Sequence, residues 1–359
     1  MKLDDTHQAT HITNRISRAE WNSALARLPN AHILQAWEWG EFKSRHGWHP
    51  KRHLWHKEDQ PCAAASTLTR RLGRWSTAVM YIPKGPALNY EDTVLMGQVL
   101  SDLEAAARHE QVLFVKMDPD VRADSATGDM ATRALRRRGW TASHEQVQFR
   151  NTVILDLTQT PDEVLAAMKP KWRYNVRLAV RRGVSVRRGA VADVPLMVKM
   201  YTDTAARDGF IIRPEDYYRD AWISFVEAGL AQPLIAEVDG LPVAMAIIFH
   251  LANRAWYIYG ASYPIHREKM PNHLLQWEAI RWAQEQGCTA YDMWGAPVVL
   301  NESDPLWGVY RFKQGFGGEF VRHIGAWDFP VSRAGYWTYT NVMPYVLEAM
   351  RWLYWIRGA

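Results

Sequence analysis

Only two cysteines, Cys62 and Cys288, occur in 359 residues. They form no Cys-x-x-Cys pair and stand in no dense histidine pattern. Neither a disulfide framework nor a zinc site is expected, and no metal is assigned. No run approaches the roughly 18 apolar residues that a membrane span needs. The opening Met1-Lys2-Leu3-Asp4-Asp5 carries charge and no apolar core. It is unlike a secretory leader, so a cytoplasmic protein is expected. Several catalytic signatures are also missing: the Gly-x-Ser-x-Gly elbow, the His-Glu-x-x-His helix, the phosphate loop and the Gly-x-Gly-x-x-Gly turn. Serine hydrolase, zinc protease and dinucleotide-binding readings therefore lack support.

What is present is an ordinary globular composition, 48% hydrophobic and 23% charged, with an unusual 18 tryptophans. The length favours two domains. A net charge of +5 mildly favours an anionic partner. Ser17 followed by Glu20 opens the first helical pattern, over 17–28. Strand-like runs and helices alternate from there. The order runs through twice, switching near 149–152, which suggests a duplicated α/β unit. The first domain is read as 1–150 plus about 320–359, because 324–329 reads as one more strand. The second is 151–319. Asp239-Gly240 between two apolar runs predicts a hairpin.

Four places can carry chemistry. Tyr291-Asp292-Met293-Trp294-Gly295 reads as a strand end and loop, and Phe312-Lys313 follows shortly before Gly315, Gly317 and Gly318. A lysine in such a frame can hold an oxygen on which charge develops, as acyl transfer requires; an arbitrary Phe-Lys pair is more often solvated. Residues 164–192 contain no acid and eight basic residues, among them Lys169, Lys171, Arg173, Arg177 and Arg181. Trp172 and Tyr174 interleave. Such a stripe suits a phosphate backbone and stacked bases, or is a solvated helix face. Arg213 precedes Pro214 and is therefore extended, well placed to grip phosphate or to pair with Glu215 or Asp216. Tyr257 and Tyr259 alternate onto one strand face. His273 reads as structural rather than as a base. The aromatic stretch 336–356 reads either as a docked terminal helix or as a peripheral contact with the inner face of a membrane.

The residues taken together resemble a known family. Gln35, Trp39 and Lys43, then Lys84-Gly85-Pro86, Asp118-Pro119, Gly183-Val184, Arg213-Pro214 with Tyr217, Trp256-Tyr257-Ile258-Tyr259-Gly260-Ala261-Ser262, Tyr291-Asp292 with Gly295, and Phe312-Lys313 fall in the order of the Fem (FemABX) peptidyltransferases. These enzymes use aminoacyl-tRNA to extend the stem peptide of peptidoglycan precursors. The resemblance spans roughly residues 30–328 and is to the form without a coiled-coil arm. It implies an α/β (α+β) protein of two tandem acetyltransferase-like (GNAT) domains, with mixed sheets flanked by helices. It implies that Lys43 and Arg213 hold the diphosphate of a UDP-linked or lipid-linked muropeptide, with Tyr217 and Tyr259 beside it. Phe312 and Lys313 would form the transfer centre, and Asp118 resembles an acid considered as a base. The basic stripe would track tRNA. No cofactor and no DNA partner are implied. Two rivals are a CoA-dependent N-acyltransferase of GNAT fold and a non-catalytic RNA-binding protein. Residues 266–273 lack the glycines of a CoA pyrophosphate loop, and neither the Phe-Lys frame nor the tyrosines are needed merely to bind RNA.

Overall fold

The computed structural model describes residues 9–13, 16–72 and 77–342. The chain divides into two compact units. One comprises the chain up to Asn30, Lys43–Gln148 and the chain from Ile324 on; the other comprises Ala31–Phe42 and Phe149–His323.

The first unit opens with helix Arg18–Arg27, closed by a reciprocal cap: Glu20 N–H donates to Ser17 Oγ and Ser17 N–H to the Glu20 carboxylate. Its strands are β1 (Thr10–Thr13), β2 (His49–Lys57), β3 (Gln60–Arg71), β4 (Ala78–Ile82), β5 (Ala87–Leu88), β6 (Phe114–Met117) and β7 (Thr141–Ala142). They form one sheet in the order β1-β2-β3-β4-β6, then the returning strand Trp327–Pro330, then β7, with β5 against β3. Among the described residues of this sheet, only β4 and β6 pair in parallel. A parallel pair needs a crossover, which helix Thr93–His109 supplies.

The second unit repeats this logic. Its strands are β8 (Asn151–Asp156), β9 (Val184–Arg188), β10 (Ala231–Val238), β11 (Leu241–Leu251), β12 (Arg254–Ser262), β13 (Ala290–Asp292) and β14 (Glu319–Arg322). Their order is β14-β8-β13-β12-β11-β10-β9. The parallel pair is β12 with β13, joined by helix Pro271–Glu285. Asp239 and Gly240 both have positive φ (52° and 76°) in the turn from β10 to β11, as a two-residue hairpin demands. The class is α/β with mixed sheets flanked by helices. Two boundaries differ from expectation. Ala31–Phe42 packs with the second unit, and Glu319–Arg322 is an edge strand of the second sheet, so the return to the first unit comes at Ile324 rather than about 320.

The tryptophans go mostly to the interior. Trp21, Trp55, Trp140, Trp222 and Trp256 are at most 1% exposed, which places large apolar area in each core. The start of the aromatic tail is docked on the first unit. In helix Arg333–Asn341, Tyr336 and Tyr339 pack on Phe114 at 5.3 and 5.0 Å, and the Tyr336 hydroxyl donates to Asp328 (2.9 Å). Positions 343–356 lie outside the described residues. Among the described residues no helix is long and apolar enough to cross a membrane.

Candidate active site

The parallel pairing of β12 with β13 ends at Trp256 opposite Asp292, yet β12 runs on to Ser262. Beyond that level the chain after β13 leaves the sheet as the loop Met293-Trp294-Gly295-Ala296. Buried Asp292 anchors it. Its carboxylate accepts from Trp294 N–H (2.8 Å), from the Thr152 hydroxyl and from Arg254 Nη2 (2.5 Å). Asn151 ties down the far end: its backbone carbonyl accepts from Ala296 N–H (2.9 Å), and its side-chain amide donates to Pro297 O (2.6 Å). Trp294 is held at φ 58°, a left-handed conformation costing a non-glycine residue about 1–2 kcal/mol.

Lys313 explains how that strain is held. It lies in helix Trp307–Gln314, is only 7% exposed, and its Nζ donates to Trp294 O (2.6 Å) and Gly295 O (2.8 Å). Hydrogen bonds from a charged donor contribute about 1.5–3 kcal/mol each, enough to outweigh one left-handed residue. The Tyr257 ring centroid is 5.9 Å from the ammonium. Burial pushes the lysine down to about 7, against the opposing pull of Asp292. A buried amine near neutrality, aimed by two carbonyls, can stabilise a developing oxyanion or give a proton to a leaving oxygen.

Phe312 precedes it. Its carbonyl accepts from Trp172 Nε1 (2.9 Å), and its ring meets His273 edge-on (5.3 Å) and Phe316 (5.1 Å). His273 is bonded to the Asn175 amide (3.1 Å). Burial, with help from the charge of Lys171, pushes His273 down to about 4, so it is a neutral packing residue at pH 7 and a poor base.

The basic stripe does form helix Pro170–Arg181, but its members have different occupations. Lys169, at the cap, bonds Gln314 through its ammonium. Arg173 turns back onto the carbonyls of Ala166 (2.7 Å) and Met168. Arg181 lies over Tyr174 (5.7 Å). Lys171 and Arg177 are exposed, and among the described residues no acid pairs with them. The acid-free stretch still finds acids through the fold: Arg187 pairs with Asp193 and Glu237 (both 2.7 Å), and Arg188 with Glu285.

One expectation is overturned. Tyr257 and Tyr259 do not share a strand face. Ile247 pairs with Tyr259 and Ile248 with Tyr257, so Ile258 is an extra residue and β12 bulges. Tyr257 therefore faces Lys313. Tyr259 faces helices Val194–Asp208 and Glu215–Glu227, against Trp222 (5.5 Å), Tyr201 and Tyr218 (both 5.9 Å). Gly260 makes room for Tyr257, because a Cβ there would lie 2.0 Å from its hydroxyl.

On the Tyr259 side, Tyr217 joins the same cluster through Tyr218 (5.6 Å), and exposed Arg213 stands 5.8 Å from the Tyr217 ring. The structure thus brings Arg213, Tyr217 and Tyr259 together on one face and Phe312, Lys313 and Lys169 on the other. Lys43 and Asp118 belong to the first unit. Lys43 Nζ is 5.6 Å from the Trp48 ring. Asp118 is buried, accepting from the Tyr81 hydroxyl (2.7 Å) and Lys84 N–H (2.6 Å), and burial pushes it up to about 6. Its bonds fix the Lys84-Gly85-Pro86 turn, an evident structural task. Three residues that shape the Lys313 environment escape a reading by motif: Asn151, Arg254 and Trp172. Each acts through a partner at least 38 positions away, and single-sequence spacing carries no signal for such pairs. Among the described residues no His, Cys, Asp and Glu cluster could hold a metal ion.

Comparison with known proteins agrees with this architecture. A lipid II:glycine glycyltransferase of Staphylococcus epidermidis is 23% identical, over 93% of this chain and 96% of its own. The crystal structure of FemX superposes with a TM-score of 0.84 at 22% identity, over 90% of this chain and 98% of that one. A tandem GNAT protein from the clavulanic acid biosynthesis pathway shares the fold more distantly (TM-score 0.52, 13% identity, 90% and 98% covered), so the two units are a tandem GNAT-like pair. The profile of the FemAB family matches residues 16–240 and 226–343, nearly the whole length, and the chain belongs to the FemAB family.

Proposed function

We propose that this protein transfers an amino acid from aminoacyl-tRNA to the stem-peptide amine of a lipid-linked peptidoglycan precursor, building an interpeptide bridge. The observation that carries this reading is the buried lysine at 313, aimed by two loop carbonyls, in a member of a family whose relatives are named as lipid II glycyltransferases. The aminoacyl ester is already activated. The acceptor amine attacks its carbonyl carbon, a C–N bond forms, the ester C–O bond breaks, and the amine's proton ends on the departing ribose oxygen. The enzyme has to align the two reactants and meet the charge that develops. We assign that charge to Lys313, with Phe312 beside it. Arg213 and Lys43 are assigned to the acceptor's diphosphate, Tyr217 and Tyr259 to its sugar–peptide part. Asp118, already committed to its turn, is assigned no proton transfer. Lys171 and Arg177 are assigned to tRNA, with Lys169, Arg173 and Arg181 shaping the helix that presents them. Action at the inner membrane face follows from a lipid-linked acceptor.

The deciding experiment incubates the protein with a pool of charged tRNAs, each labelled in its amino acid, and either lipid-linked or UDP-linked muropeptide. Label appearing in the lipid-linked product supports the reading; glycine is the first donor to follow. Acetyl-CoA serves as the rival donor, and label transferred only from it would replace this reading. Two further results are expected. Arg213→Met and Lys43→Met should each weaken muropeptide binding by calorimetry about tenfold or more, the scale of one charge-assisted phosphate contact; unchanged affinities would move the diphosphate elsewhere. Lys171→Gln and Arg177→Gln should each lower the slope of log affinity for tRNA against log salt by about 0.7–0.9. An unaltered slope would take tRNA off this helix.

A further inference from the structure

Resting on the reading of Lys313 as the charge-bearing group, we propose that Trp172 is a positioning residue for the transfer step, holding the backbone on both sides of Lys313 and so setting where its ammonium stands. Helix Trp307–Gln314 is only eight residues long, and Lys313 is next to last. The last carbonyls of a helix have no partner within it. The carbonyls of Arg311, Lys313 and Gln314 are met by the N–H groups of Gly315, Phe316 and Gly317, whereas that of Phe312, next to Lys313, is taken by the basic helix. Trp172 Nε1 donates to Phe312 O (2.9 Å), Lys169 N–H donates to Gly315 O (2.9 Å), and the Lys169 ammonium bonds the Gln314 side chain. The indole also lies flat against Gly315, where a Cβ would come 2.0 Å from Trp172 Cε2. Positions 312, 314 and 315 are thus each gripped by the basic helix, while the 313 side chain reaches the Trp294–Gly295 carbonyls.

No contact between Trp172 and the reacting atoms is needed for this role. The indole fixes one end of the lever and the loop carbonyls fix the other. If the backbone at 312–315 drifts by an ångström, the ammonium leaves its two acceptors and becomes better solvated, and misplacement on that scale alone can cost about 100-fold in rate. His273 contributes to the same cluster, edge-on to both Trp172 (5.6 Å) and Phe312 (5.3 Å). The exposed cations Lys171 and Arg177 ride on the same helix. A polyanion seated on that helix therefore engages an element bonded directly to the one that carries Lys313.

The test replaces Trp172 by Phe, which keeps an aromatic face and loses the N–H, and in parallel by its benzothiophene isostere, which keeps the shape and also loses the N–H. Transfer is measured with charged tRNA and lipid-linked muropeptide across pH 5.5–9. The expected result is a 10- to 100-fold fall in kcat with KM for tRNA within about twofold; the limb on which wild-type rate falls as the Lys313 cation is lost near pH 7 should also shift towards higher pH as that lysine becomes better solvated. The isostere guards against loss of the fold in the Phe variant, and thermal unfolding is followed for both. A kcat within twofold of wild type in the isostere would overturn the proposal. So would a loss of rate that tracks melting temperature while the pH limb stays where it was, since that describes packing alone. If wild-type protein transfers nothing in the same assay, the reading of the function fails, and not merely the role of Trp172.

Discussion

Lys313→Ala should abolish most transfer while leaving a folded protein. Removing one preorganised donor at a developing oxyanion typically costs about 100- to 1,000-fold in kcat, and this ammonium donates to both Trp294 O and Gly295 O of the loop. Folding should survive because the lost hydrogen bonds are offset by release from burying an amine. The pH dependence identifies the group. Since burial has brought the lysine to about 7, wild-type kcat/KM should fall as pH rises through about 7 and the cation is lost. Deprotonation of the acceptor amine works in the opposite direction, raising the rate with pH. The residual activity of Lys313→Ala should lack the falling limb; if the limb persists in the variant, it belongs to another residue.

Stability carries the same signature. The folded-state value lies below the ordinary 10.5 of a free lysine, so between about pH 7 and 10.5 the unfolded chain binds the extra proton. Wild-type stability relative to Lys313→Met should therefore rise with pH across that window and be flat below it. Denaturant midpoints for the two proteins at pH 6, 8 and 9.5 decide this. A constant difference would mean that the amine is not buried as the structure shows.

The second large effect is expected at a residue well removed from the motif. Arg254→Met should destabilise the second unit by about 3–5 kcal/mol, the usual cost of leaving one partner of a buried ion pair behind. Asp292 is 2% exposed, and Arg254 Nη2 meets its carboxylate at 2.5 Å. The same carboxylate holds Trp294 N–H, and Trp294 O in turn holds Lys313. Loss of transfer should therefore accompany loss of stability, and rates measured well below the melting temperature separate the two. Pairing Arg254→Met with Asp292→Asn should destabilise less than the sum of the single changes, because the stranded charge is removed. Strict additivity would show that the pair contributes nothing through its contact.

Much of this protein is legible without coordinates wherever the signal is local. The Ser17/Glu20 cap, helix Thr93–His109, the Asp239-Gly240 hairpin and the alternation of helices with strands all follow from periodicity and turn chemistry within about a dozen residues. The Phe312-Lys313 pair stood out because its glycine-rich flank is local too. Less legible was anything that depends on strand registry. Two tyrosines spaced by two residues predict one face, yet a single unpaired Ile258 sends them to opposite sides of the sheet. Nor could charge counting within 164–192 find Asp193, Glu237 and Glu285, which reach Arg187 and Arg188 from other strands and helices.

Composition and order alone thus determined that this is a two-part α/β chain, with a lysine set beside a glycine-rich turn and an acid-free basic helix, because these properties are written in neighbouring side chains. Only the tertiary structure decided that the lysine is buried on two loop carbonyls, that Arg254 and Asp292 hold that loop, and that an indole from the basic helix caps the helix of Lys313. The physical reason is that desolvation and hydrogen-bond geometry arise between segments far apart along the chain, and they exist only once the strands have found their register.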